Sequence, residues 1–142
     1  MAEMVAPSTP GSLLTITTIP GAGNALHTTV TLSGELDRSN EVEARQAIER
    51  LIHRGATHLI IDLGRLVFMD SSGVNLLART HHALTQRQGI LVVVAPNGAV
   101  SRILEMVRLT QVVPVYPSLR NALAEMSPLA QASARPRLTV SA

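Results

Sequence analysis

Leu59-Ile60-Ile61-Asp62-Leu63 is a short apolar run, and Phe68-Met69-Asp70-Ser71-Ser72-Gly73 separates it from Val74, Leu77, Ala78 and Leu84, which recur at helical spacing. A continuous apolar run of this kind reads as a central strand covered on both faces, and the spacing after it predicts a helix from about Ser72 to Arg87. Ile90 to Val94 is a second buried run, so the centre of the chain reads strand, helix, strand. Such units favour parallel neighbours joined by right-handed crossovers.

Working outward, Leu13 to Ile19 is Thr-rich and β-branched, and Pro20-Gly21-Ala22-Gly23-Asn24 is turn chemistry. Leu26, Thr28, Val30 and Leu32 alternate with His27, Thr29, Thr31 and Ser33, which completes an antiparallel hairpin. Asn40 and Glu43 have capping-box spacing, with Asn in place of the usual Ser or Thr. Ala44, Ala47, Ile48, Leu51 and Ile52 then form a helical stripe that Gly55 can end. Beyond Pro96-Asn97-Gly98, a third helix carries Ala99, Val100, Ile103, Leu104 and Val107 on its inner face. Val112 to Tyr116 is a final strand candidate, and Ser118 caps a short helix through Leu119, Ala122, Leu123 and Met126. The expected fold is α/β in the order ββαβαβαβα: one domain over residues 12–126, with a mixed sheet opened by an antiparallel hairpin. Residues 1–11 and 127–142, rich in Pro and small polar side chains, are expected to be flexible tails.

Composition excludes several classes of function. The 142 residues hold 12 basic and 10 acidic side chains, and every basic one is Arg. A net charge of +2 without a basic cluster is poor support for a nucleic-acid partner, and 1% aromatic content leaves no stacking platform for single strands. With no Cys there is no disulfide framework or thiolate metal site, and with no Lys there is no phosphate-loop lysine. The apolar run Ile90 to Ala95 is far short of the roughly 20 residues that cross a bilayer. Met1-Ala2-Glu3-Met4 has an acid where a secretion signal needs basic residues. The expectation is a cytoplasmic protein with no membrane contact.

Chemistry should gather in loops beyond the carboxyl ends of the strands. Gly34-Glu35-Leu36-Asp37 and Phe68-Met69-Asp70-Ser71-Ser72-Gly73 are the two polar candidates. A helix N-terminus has orphan N–H donors and a positive dipole end, so a hydroxyl there can cap the helix or, once phosphorylated, carry tolerated negative charge. Ser71 and Ser72 suit either role, with capping the plainer one; Asp70 suits a cap, a metal ligand or a solvated acid. His81 and His82 are adjacent on their helix and point about 100° apart, a poor metal pair. The remaining histidines lie in separate elements. The Gly-x-Ser-x-Gly nucleophile elbow is absent at Ser71 and Ser72. No metal, cofactor or catalytic residue is assigned. Met69, Met106 and Met126 read as core or interface filler, and Arg102 and Arg108 as solvated.

Gly34-Glu35-Leu36-Asp37, the Leu59 to Leu63 strand and Phe68-Met69-Asp70-Ser71-Ser72-Gly73 together resemble a STAS domain of the anti-sigma-factor-antagonist family. The resemblance runs from about Leu13 to Met126 and includes Val94-Ala95-Pro96-Asn97 and Arg102-Ile103-Leu104-Glu105. It implies a small non-enzymatic switch. The unphosphorylated protein would bind an anti-sigma factor that is also a serine kinase and so release a sigma factor. Phosphorylation would end the interaction, and a phosphatase would restore it. The resemblance places the phosphoacceptor at Ser71, with Asp70, Ser72, Gly73 and Asp37 around it. It places partner contacts at Glu35, Asp37, Met69, Asp70, Ser71, Ser72, Val74 and Asn75, and implies a monomer. One departure stands out: members often continue Gly-Leu-Gly where this chain has Gly73-Val74-Asn75, so Asn75 adds a side chain on the first helical turn. Two other readings remain open, a STAS scaffold or sensing module without cognate phosphorylation and a small hydrolase using Ser71.

Overall fold

Parallel strands need both faces covered, and the apolar runs at the centre of the chain meet that demand. The structure, a computed structural model, describes residues 4–7, 13–21 and 27–126. A six-stranded sheet has the order β1 (Met4–Pro7), β2 (Leu14–Pro20), β3 (His27–Leu36), β4 (His58–Met69), β5 (Ile90–Val94) and β6 (Val115–Tyr116). The first two pairings are antiparallel and the remaining three parallel. The helices are α1 (Glu41–His53), α2 (Ser71–Thr85), α3 (Ala99–Met106) and α4 (Leu119–Met126), with a 3-10 turn at Leu109–Gln111. The expected mixed α/β order is therefore present, preceded by one further strand.

That strand corrects the reading of residues 1–11. Met4–Pro7 pairs with β2, from Met4 opposite Thr18 to Pro7 opposite Thr15. The outer edge of β2 presents unpaired backbone donors and acceptors, which a short extended segment satisfies whatever its side chains. The tail expected over 127–142 lies outside the described residues, as do residues 1–3 and 8–12.

Two apolar layers enclose the sheet. Leu59, Ile61, Leu91 and Val93 join Ile48, Leu76, Leu77 and Leu104 from the helices on one face. Ile60, Val92 and Val94 pack with Ala122 and Met126 of α4 on the other. Leu59, Ile60 and Ile61 are all 0% exposed, as a strand sandwiched between helices requires. Fully burying one such side chain contributes about 1.5–3 kcal/mol.

β3 and β4 run further than the sequence pattern indicates. Glu35 and Leu36, expected in a loop, are the last residues of β3; Phe68 and Met69 likewise end β4. The alternation that marks a strand breaks because β4 contains irregularities. Thr31 pairs with Asp62 but Ser33 with Arg65, and Gly34 pairs with Leu66 but Glu35 with Phe68. Each shift inserts an extra residue on β4, and the buried positions become Leu63, Leu66 and Met69 while Val67 and Phe68 point outward. The predicted strand at Val112 shortens to Val115–Tyr116, because the residues before it close the 3-10 turn.

Glycine is required where β2 enters the sheet. Gly34 has φ +106°, and a Cβ there would lie 1.9 Å from the Leu13 carbonyl oxygen. The next residue, Glu35, donates its N–H to that same oxygen at 3.0 Å. At the end of α1, Gly55 has φ +107° and donates to Ile52 O, while Ala56 donates to Leu51 O. This left-handed stop satisfies carbonyls that the last helical turn leaves unpaired.

Candidate functional site

The ends of β3 and β4 finish side by side. Leu36 pairs with Met69, and the Asp70 N–H donates to Leu36 O at 3.3 Å. The loops leaving both strands therefore start together. Asp70 is extended (φ −108°, ψ −166°), and its Oδ1 accepts the Ser72 N–H at 2.8 Å. The carboxylate is the cap of α2, and the helix starts one residue earlier than expected, at Ser71. Both serine hydroxyls are thereby relieved of capping. Ser71 is exposed, and its hydroxyl has no hydrogen-bond partner among the described residues.

Close packing brings the first turn of α2 down onto the strand ends. A Cβ on Gly73 would lie 2.3 Å from Met69 Cγ and 3.0 Å from Leu36 Cδ2. Met69 is only 2% exposed, so its assignment as a partner contact is corrected: its side chain fills the space under Gly73. Gly73 is itself buried and acts as a spacer.

The β3–α1 loop is held by Asn40, which is 1% exposed. Its Nδ2 donates to Glu35 O at 2.9 Å and its Oδ1 accepts the Asp37 N–H at 3.0 Å. The amide thus bridges strand end and loop rather than capping the N–H groups of its own helix. Asp37 Oδ1 accepts from the Ser39 hydroxyl at 2.6 Å and from the Ser39 N–H at 2.9 Å. These bonds stabilise the ionised form and hold its carboxyl below the ordinary value of 3.8.

A groove of about 850 Å³ opens over Ser71. Arg38, Asp70, Ser71, Ser72, Val74 and Asn75 line it, together with Ala78, Ile103 and Val107. Five of the residues expected at a partner surface thus meet in one concavity, whereas Glu35, Asp37 and Met69 do not line it. Of the expected inner positions of α2, Val74 is half-buried, packing against the core while also lining this groove, and Ala78 is exposed and belongs to the groove. The sequence gives no sign of Arg38 here; of the two residues expected on the inner face of α3, Ile103 packs against the core and also lines the groove, whereas Val107 is exposed. Val107, the residue that closes α3, is 49% exposed, so the end of this helix presents apolar surface to the groove that Ser71 lines. The helical period carried the signal for this wall: α3 has more apolar positions than one buried stripe uses.

The histidines are placed elsewhere. His27 and His58 are register partners on β3 and β4, and burial lowers the pKa of His27 from 6.5. Among the described residues, no group of three or more His, Cys, Asp or Glu is placed to hold a metal ion. No helix among the described residues is long and apolar enough to cross a membrane.

Comparison with known proteins agrees with this geometry. The STAS domain family profile matches residues 15–122. An anti-sigma F factor antagonist of Paenibacillus polymyxa is 35% identical over 98 residues, covering 68% of this chain and 84% of the relative. The crystal structure of an anti-sigma factor antagonist from Mycobacterium paratuberculosis superimposes with a TM-score of 0.70 at 32% identity, over 84% of this chain and 98% of the other. The Bacillus cell fate determinant SpoIIAA, in its phosphorylated form, shares the fold at 24% identity and a TM-score of 0.59, over 79% of this chain and 97% of its own.

Proposed function

The chain belongs to the STAS domain family, and from that premise we propose that it is a cytoplasmic anti-sigma factor antagonist that works by binding rather than catalysis. Its unphosphorylated form binds an anti-sigma factor that is also a serine kinase, and a sigma factor is released. The kinase transfers the γ-phosphoryl group of ATP to Ser71 Oγ; ADP leaves, the hydroxyl proton passes to the kinase, and the complex separates. A phosphatase hydrolyses the ester and restores the binding form.

The observation that carries this reading is the state of Ser71: exposed, lining a groove and spared from capping by Asp70. The 35% identical relative and the 32% identical structure, both anti-sigma factor antagonists, support it. A phosphate adds about −1.5 to −2 charges beside Asp70. Like charge placed in a desolvated contact costs several kcal/mol, and ~2.7 kcal/mol is already about a hundredfold in affinity. The switch therefore needs a changed surface and no refolding.

Incubation with the co-encoded kinase-like anti-sigma factor and ATP, followed by mass spectrometry, tests the proposal. The expected result is one phosphate on Ser71 and none in Ser71→Ala. A stable complex whose antagonist is never modified would replace it with the scaffold reading.

A further inference from the structure

Arg38 and Ser71 come from different loops yet line the same groove. The Asp70 N–H to Leu36 O bond joins those loops at their origin, with Arg38 two residues beyond Leu36 and Ser71 one beyond Asp70. Arg38 is exposed, and it makes no ion pair among the described residues. The nearby carboxylates are engaged elsewhere, Asp70 with the Ser72 N–H and Asp37 with Ser39. Among the described residues, no other basic side chain lines the groove. The result is a guanidinium and a hydroxyl that line one groove, each without a partner among the described residues.

We propose that Arg38 is the counter-charge for a phosphate on Ser71, closing across the groove to hold the modified side chain in one geometry and to slow its hydrolysis. The inference rests on the reading of Ser71 as the phosphoacceptor. A planar guanidinium presents paired donors that match phosphate oxygens, and charge-assisted bonds of this type are about twice as strong as neutral ones. The first turn of α2 adds the favourable end of its dipole to the same phosphate. Held in this way, the phosphate occupies the space between Ser71 and the Ile103–Val107 wall. Modification then blocks the groove sterically as well as by charge.

The test places phosphoserine at position 71 during translation, in otherwise native protein, Arg38→Gln and Arg54→Gln. Arg54 follows the far end of α1 and lies outside the groove. Phosphorus NMR then follows the second ionisation of the phosphate, ordinarily at about 6. A paired guanidinium favours the dianion, so the Arg38→Gln sample should titrate about half a unit higher than the native sample, with Arg54→Gln unchanged. Alkaline phosphatase should also release phosphate several-fold faster from Arg38→Gln. Coincident titrations in all three proteins would overturn the inference, as would an equal shift in Arg54→Gln. Because translation installs the phosphate, this result does not depend on any kinase, and failure of the kinase assay would be a separate outcome.

Discussion

Asp70 Oδ1 accepts the Ser72 N–H at 2.8 Å, so the acid closes α2 and the hydroxyl between them is left to solvent. Asp70→Ala should cost about 1 kcal/mol of stability through loss of the cap. Asp70→Asn retains an acceptor oxygen and should cost clearly less. Urea denaturation of both variants checks this, and equal losses would mean that the cap bond is not what Asp70 contributes.

Ser71→Ala removes a side-chain oxygen that bonds to nothing among the described residues, so stability should stay within about 0.5 kcal/mol of the native protein. Its affinity for the anti-sigma factor should also be retained, while Ser71→Asp should weaken binding. Calorimetric titration of the pair measures the difference. Equal affinities would remove charge at this position as the basis of the switch.

Val107 is 49% exposed in the groove that Ser71 also lines. Val107→Glu should lower anti-sigma affinity by tenfold or more, about 1.4 kcal/mol, by placing an acid in an apolar contact. Its melting temperature should change little, since about half of the native residue is already in solvent. Unaltered binding would exclude α3 from the docking surface.

Gly34→Ala should be far more damaging than its size suggests. Its φ of +106° is costly for any side chain, by about 1–3 kcal/mol, and the added methyl meets the Leu13 carbonyl. Relief requires β2 to move away from β3. Thermal unfolding should show the loss, with hydrogen exchange of the Glu35 amide rising first.

Removing the Ser39 hydroxyl should raise the Asp37 pKa toward its ordinary value of 3.8, because its bond is the largest cause of the depression. A carboxyl depressed in the folded state stabilises the protein above its unfolded pKa, and that contribution fades as pH falls through the folded one. The stability difference between native protein and Ser39→Ala should therefore be present near neutrality and shrink on acidification below about 4. Carboxyl NMR titration with parallel denaturation curves at each pH checks both statements.

What the sequence revealed, and what it hid, follows from which contacts are local. Leu59-Ile60-Ile61 and the stripe of α1 are periodic signals that burial alone explains, and both fall where expected. The Asp-Ser-Ser-Gly element marked the head of α2, but three of its residues could cap a helix, and only the Asp70 bond decides among them. β4 was read short because its inward positions after Leu63 are three apart, a spacing created by pairing with β3. Arg38 carried no local signal: its place in the groove with Ser71 follows from the bond between Leu36 and Asp70, more than thirty residues apart in sequence. Ile103 and Val107 fit the helical period, which does not distinguish a covered stripe from one awaiting a partner.

The irregular pairing of β4 has a consequence for how much change this end of the molecule tolerates. A ten-residue strand and a twelve-residue one end level, because the surplus is taken up where β4 bulges. At the second bulge the slack falls on Val67, 74% exposed, between the partners of Gly34 and Glu35. Deleting that residue would restore plain pairing and leave Met69 opposite Leu36, whereas a deletion after Met69 would drag the serine away from its neighbours. Length can drift on one side of Met69 and is fixed on the other.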